Sequence, residues 1–218
     1  MTDAGNRRPL KSRETGWARR LATRLAAAGT SPDAISAGSV VFAIAGAGLL
    51  IASSGLPGLA RSAALVAAAA CVQLRLLCNL LDGMVAVEHG RGSAAGPIWN
   101  ELPDRIADVL LLVGAGYAGA ILGQALAEPL GWLAGALAVL TAYVRELGRG
   151  LGQPADFSGP MAKPHRMAAL TGICVLSALD PLWGGNGQVL LIGLGVIALG
   201  TAWTVVRRVR HLAARLAA

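Results

Sequence analysis

A chain of 218 residues with 55% hydrophobic and only 14% charged residues is unlike a soluble domain, where about a quarter of residues carry charge. Its positive mean hydropathy and long apolar runs point to several membrane helices. The dominance of Ala, Gly and Leu argues against a transmembrane barrel. The net charge is +7, but no basic-aromatic face is available to hold a strand, so nucleic acid is not an expected partner.

Residues 1–14 are polar and basic and are expected to be a disordered N-terminus; they lack the pattern of a cleavable signal. "TGWARRLATRLAAA" (15–28) places Trp17, Leu21 and Leu25 at helical spacing with arginines opposite, which predicts an amphipathic helix on the membrane surface. "TSPDAIS" then supplies Ser31 as N-cap and Pro32 at the first helical position. Six apolar segments follow, near 33–53, 59–87, 102–123, 128–150, 164–180 and 185–208, each approaching the ~20 residues that cross a bilayer core. The expected fold is therefore all-α and integral to the membrane. Six transmembrane helices follow an N-terminal surface helix, with one domain over 15–210 and a basic C-terminal tail over 211–218.

Loops near 54–58, 124–127 and 181–184 have no Lys or Arg. Those near 88–101 and 151–163 carry or adjoin Arg91, Arg105, Arg145, Arg149, Lys163 and Arg166. Together with both basic ends, this asymmetry predicts a multi-pass protein of the inner (cytoplasmic) membrane with N and C termini in the cytoplasm. Cys71, Cys78 and Cys174 lack metal-type spacing and read as apolar packing.

Against this background the stretch "CNLLDGMVAVEHGRGSAAGPIWNELPDRIAD" (78–108) stands out. Asn79 and Asp82 are three apart on the second span and share a helix face. Glu101, Asp104 and Asp108 share a face at the start of the third, with Asn100 four before Asp104. Pro103 is compatible with a helix there if it falls in the first turn. Consecutive antiparallel helices can bring the two groups together. Facing carboxylates then need compensation, since a charge costs roughly 2.5–3.5 kcal/mol at a helix centre. An oxygen-only donor set suits Mg²⁺ or Mn²⁺, and two such ions suit displacement at phosphorus. Pairing with Arg75, Arg91 and Arg105 is the alternative use of these acids.

The segment resembles the signature of the CDP-alcohol phosphatidyltransferase family, D-x-x-D-G-x-x-A-R-x(8)-G-x-x-x-D-x-x-x-D. Asp82, Gly83 and Ala86 stand at the second Asp, first Gly and Ala; Asp104 and Asp108 stand at the last two Asp with a loop four residues longer. Asn79 replaces the first Asp, Val87 the Arg and Asn100 the second Gly, a form similar to that of a bacterial branch of the family. The resemblance implies transfer of a phosphatidyl or related phospho-alcohol group from a CDP-alcohol such as CDP-diacylglycerol to an acceptor hydroxyl. CMP is released, in phospholipid biosynthesis. It further implies metal ligands Asn79, Asp82, Asp104 and Asp108, with Glu101 restoring charge, and Asp108 as general base. Gly83, Ala86 and Asn100 would contact substrate, Arg145, Lys163 and Arg166 its phosphates, and the protein would be a homodimer.

"GRGSAAG" (90–96) lacks the strand and Lys-Ser/Thr of a P-loop and reads as a flexible loop. Three alternatives stand beside the transferase reading: a catalytically altered member of the same family, in which the replaced signature residues have cost activity; an intramembrane prenyltransferase, which needs wider motif spacing; and a cation transporter using the same acidic cluster, which needs carboxylates near the membrane midplane. The acceptor alcohol and the donor's lipid are not encoded in any motif found here.

Overall fold

The computed structural model describes residues 15–217, and among these every regular element is helical. The segment assigned as a disordered N-terminus lies outside the described residues. Helix α1 covers Gly16–Ala27 and α2 covers Pro32–Ser53. The intervening turn closes as its residues dictate: the Ser31 hydroxyl accepts from the Ala34 amide at 3.1 Å, and Pro32 occupies the first turn, where no amide donor is required. Ala18 and Ala22 of α1 are fully buried in a small cluster with Leu80, Leu81, Met84 and Val85, whereas Trp17 is half exposed. The alanines, rather than the larger apolar residues, make the closest approach because a surface helix laid against another needs short side chains at its crossing.

Helix α3 (Gly58–Glu88) runs antiparallel to α2, and α4 (Gly96–Ile121) returns against both. α4 starts earlier than its apolar run suggests, because Gly96 and Pro97 open it. Pro103 consequently lies inside the helix, not in its first turn as the sequence spacing predicted. Its missing amide leaves one carbonyl of the preceding turn without an intrahelical donor. Helix α5 (Ala127–Gly150) packs along α4, followed by α6 (Lys163–Ser177), a 3-10 turn at Asp180–Leu182, and α7 (Gln188–Leu216).

The α4–α5 crossing is a contact of backbones. A β-carbon on Gly131 would lie 2.8 Å from the Leu112 carbonyl, and one on Gly116 would lie 2.8 Å from that of Ala127. In lipid, where burial of apolar surface does not drive helices together, such close approach supplies the packing energy. The main core runs through Leu50, Leu65, Val72, Leu111, Leu170 and Leu194, at the centre of the bundle.

Among the described residues four helices, α2, α3, α5 and α7, are long and apolar enough to cross a membrane. α6 has 15 residues, roughly 22 Å of helix, short of a ~30 Å core. α4 carries the charged residues described next. At the end of the bundle opposite those charges, Arg61 Nη2 lies 2.9 Å from Asp180 Oδ2 and the Ser62 hydroxyl donates to the Ala178 carbonyl at 2.6 Å. These bonds join the start of α3 to the turn after α6.

Candidate active site

Alternating helix direction gathers the ends of all the helices that matter at one side: the C-terminal ends of α3, α5 and α7, and the N-terminal ends of α2, α4 and α6. On α3, Arg75, Asn79 and Asp82 follow one another at helical spacing. On α4 the corresponding row is Glu101, Asp104, Arg105 and Asp108. Asp82 and Asp104 are almost fully buried, and Asp108, Arg75 and Arg166 are entirely so.

Charges removed from water to this degree need partners, and most have them. Arg75 Nη2 lies 2.6 Å from Asp108 Oδ1, 3.3 Å from Asp104 Oδ1 and 3.0 Å from the Asp104 carbonyl. Arg166 Nη2 meets Asp108 Oδ2 at 2.5 Å and its Nη1 donates to the Met161 carbonyl at 3.2 Å. Lys163 donates to Asp104 Oδ2, and Asn79 through its amide to Asp104 Oδ1. Arg105 reaches Asp104 Oδ2 at 3.4 Å. Glu101 does not join the inner carboxylates: it pairs with Arg145, and with Arg105 at 3.6 Å. Arg145 also holds Glu146 at 2.8 Å and lies 5.5 Å over the Phe157 ring.

Asp82 differs from the others. Its Oδ2 accepts from the Ser36 hydroxyl of α2 at 2.5 Å, while its Oδ1 is buried with no hydrogen-bond partner. An unpartnered buried carboxylate oxygen is costly unless something else fills the place. With the Asn79 carbonyl three residues away on the same face, the donors fit a hard, oxygen-preferring cation. Among the described residues, no three His, Cys, Asp or Glu side chains converge to hold an ion by themselves. Any ion here would therefore use the Asn79 amide oxygen or groups from a substrate.

Of the remaining residues expected at the site, Gly83 and Ala86 are half-buried on α3 beyond Asp82, and Asn100 is exposed on α4. Arg145 and Lys163 are brought to the acidic cluster through their salt bridges. Sequence reasoning missed Ser36, read there only as part of a helix start; its partner is 46 positions away. Arg91, named in the sequence as a possible partner of the acids, instead donates its guanidinium to the Ala26, Gly29 and Thr30 carbonyls at 2.9, 3.0 and 3.3 Å. That residue closes the C-terminal end of α1 and ties down the loop between the two acidic helices. Between α2 and the outer face of α4, an apolar groove of about 320 Å³ is lined by Val40, Val41, Trp99, Leu102 and Ile106, among others.

No family profile and no curated protein matches the chain. Solved structures do. The manganese–citrate complex of phosphatidylinositol phosphate synthase from Mycobacterium tuberculosis superimposes with a TM-score of 0.72 at 21% identity, over 89% of this chain and 88% of that one. The same enzyme with CDP-DAG bound gives 0.74 at 21%, over 89% and 92%, and its apo form gives 0.67 at 21%, over 88% and 93%. The chain has the fold of that synthase. The helix start at Gly96 also bears on the signature. Counted without inserted residues, Gly96 takes the second Gly position and Asn100 and Asp104 the last two Asp positions. Asp108 then falls one turn beyond, where its full burial puts it.

Proposed function

We propose that the chain is a membrane transferase that moves a phosphatidyl or related phospho-alcohol group from a CDP-alcohol, such as CDP-diacylglycerol, to an acceptor hydroxyl with release of CMP. The observation that carries this reading is the joining of α3 and α4 at Asp104, which accepts from Asn79 and Arg75 of α3 and from Lys163 of α6, with Arg145 and Arg166 paired to Glu101 and Asp108 on the same helix, in a fold shared with a phosphatidyltransferase. A diphosphate carries the charge that such a set of cations and a divalent metal would neutralise.

Mg²⁺ or Mn²⁺, held by Asp82 and the Asn79 carbonyl, would neutralise charge on the diphosphate oxygens. The protein's own groups do the rest. Lys163 and Arg145, both partly exposed, exchange their carboxylate partners for substrate phosphates. Arg166 is fully buried on Asp108 and holds that carboxylate in place. Gly83 and Ala86 leave room on α3 for the nucleotide, and Asn100 lies at the mouth. Transfer forms a bond from the acceptor oxygen to the phosphorus bearing the alcohol and breaks that phosphorus's bond to the CMP oxygen. The acceptor's proton passes to a carboxylate.

We place that base at Asp104 and not at Asp108, the residue that the family resemblance implied. Both Asp108 oxygens are held at 2.5–2.6 Å by fully buried guanidiniums, whereas Asp104, when Lys163 turns to phosphate, keeps on Oδ2 only the longer 3.4 Å contact from Arg105. The apolar groove between α2 and the outer face of α4 suits a lipid chain on the donor. Arginines on α1 and at the end of α7 share the side of the acidic cluster, which supports a cytoplasmic face for both in the inner membrane. The family resemblance adds a homodimer.

The test is CMP release by the purified protein from CDP-diacylglycerol with Mg²⁺ or Mn²⁺ and a panel of acceptors including glycerol phosphate, inositol phosphate and serine. The expected result is metal-dependent CMP with at least one acceptor, reduced about 10²–10⁴-fold in Asp104→Asn, the usual contribution of a general base. No CMP with any acceptor would overturn the reading in favour of a cation-binding transporter or a catalytically altered family member.

A further inference from the structure

Asp82, Asp104 and Asp108 contribute six carboxylate oxygens, and their partners divide unevenly. All four oxygens on α4 accept from cationic side chains: Asp104 from Arg75, Arg105 and Lys163, and Asp108 from Arg75 and Arg166. Neither oxygen of Asp82, on α3, has a salt-bridge partner among the described residues, and Oδ1 is buried without a hydrogen-bond partner there.

Arg75 occupies a particular place in this set. It stands one turn before Asn79, is fully buried between α3 and α4, and a single atom, Nη2, contacts both Asp104 and Asp108. Bridging two carboxylates is the position a metal cation takes between them. Because it is fixed in the interior, Arg75 cannot leave with a substrate or exchange with solvent. A divalent ion brought to the same pair would meet an immobile positive charge on the oxygens it needs. Nor is negative charge available to offset it. Asn79 supplies an oxygen without charge, and Glu101 is committed to Arg145 and Arg105.

We infer that Arg75 is a built-in counter-cation that replaces a second divalent ion, so that the chain holds one ion, at Asp82 and the Asn79 carbonyl, instead of two. The inference rests on the proposed use of a divalent cation at this site and narrows the number expected from sequence. Arg75 acts through the carboxylates and is a positioning residue.

The full chain, purified in detergent and stripped with chelator, is titrated with Mn²⁺, and bound metal is read from loss of the free-ion electron paramagnetic resonance signal and by elemental mass spectrometry. One Mn²⁺ per chain is expected for the parent and for Arg75→Lys, which keeps the charge. None is expected for Asp82→Asn, and two for Arg75→Met. Two ions in the parent, or one in an Arg75→Met variant that retains parental circular dichroism and elution volume, would overturn the inference. Should Arg75→Met not fold, the parent stoichiometry decides: one supports, two overturns. Zero in the parent would remove the divalent-cation reading itself, and this inference with it.

Discussion

Ser36 illustrates how a short polar side chain acquires weight from where a helix puts it. In water its hydroxyl would contribute little; buried, it donates to Asp82 Oδ2 at 2.5 Å. A hydrogen bond to a charged group contributes about 1.5–3 kcal/mol, which corresponds to roughly 10–100-fold in rate if lost in the transition state. Ser36→Ala is expected to lower CMP release by that factor and to weaken Mn²⁺ binding, with Ser36→Thr restoring both; unchanged Mn²⁺ affinity in Ser36→Ala would contradict the role. The residues around it differ in how readily sequence revealed them. Asn79 and Asp82 declare themselves through three-residue spacing in an apolar run, and the pairing of Arg75 with carboxylates follows from its place one turn earlier. Ser36 gives no such sign, since its meaning depends on a helix packed from 46 positions away.

Element boundaries followed the same division between local and distant causes. The start of α2 was readable because Ser31 and Pro32 act within one turn. The start of α4 was not, because the hydropathy of the third segment rises only after Gly96 and Pro97 have begun the helix. The connection carrying Lys163 to the site depends on contacts across the chain. Asp156 Oδ1 accepts from the Ser158 amide at 2.8 Å, and Oδ2 lies 3.2 Å from His211 Nδ1 on α7. Arg208 donates to the Ser158 and Thr141 carbonyls at 3.0 and 2.7 Å, and Arg215 to that of Pro154 at 3.3 Å. The basic end of α7 therefore staples the 151–162 connection to the bundle.

Burial alone would raise the Asp156 carboxyl, but hydrogen bonds from Ser158 and His211 and the nearby Arg208 charge hold it below its usual value. A carboxylate lowered on folding stabilises above its unfolded pKa of about 4, and that contribution disappears as pH falls through the lower folded value. The melting temperature of Asp156→Asn is thus expected to lie below the parent at pH 7, with the gap closing in acid below about pH 4. A gap independent of pH would mean that the carboxylate's charge does not hold this connection.

At the scale of the whole molecule, the bundle segregates charge by end. The acidic cluster, its cations and the stapled connection occupy one side, and the opposite side holds the Arg61–Asp180 pair. That pair was invisible in the sequence, where Arg61 and Asp180 are 119 positions apart and neither sits in a polar run. Composition conveyed the class of fold because apolar length reflects the bilayer directly. It overstated which helices meet the criterion for crossing, since α4 exchanges apolar residues for the site's charges and α6 is short. With α3 and α4 meeting at their charged ends, the most direct measurement is a structure determined with CDP-diacylglycerol and Mn²⁺. The diphosphate is predicted between Asp82 and Asp104, with Mn²⁺ on Asp82 Oδ1 and Lys163 turned from Asp104 to phosphate. A nucleotide bound elsewhere, with Lys163 still on Asp104 and no metal at Asp82, would contradict it.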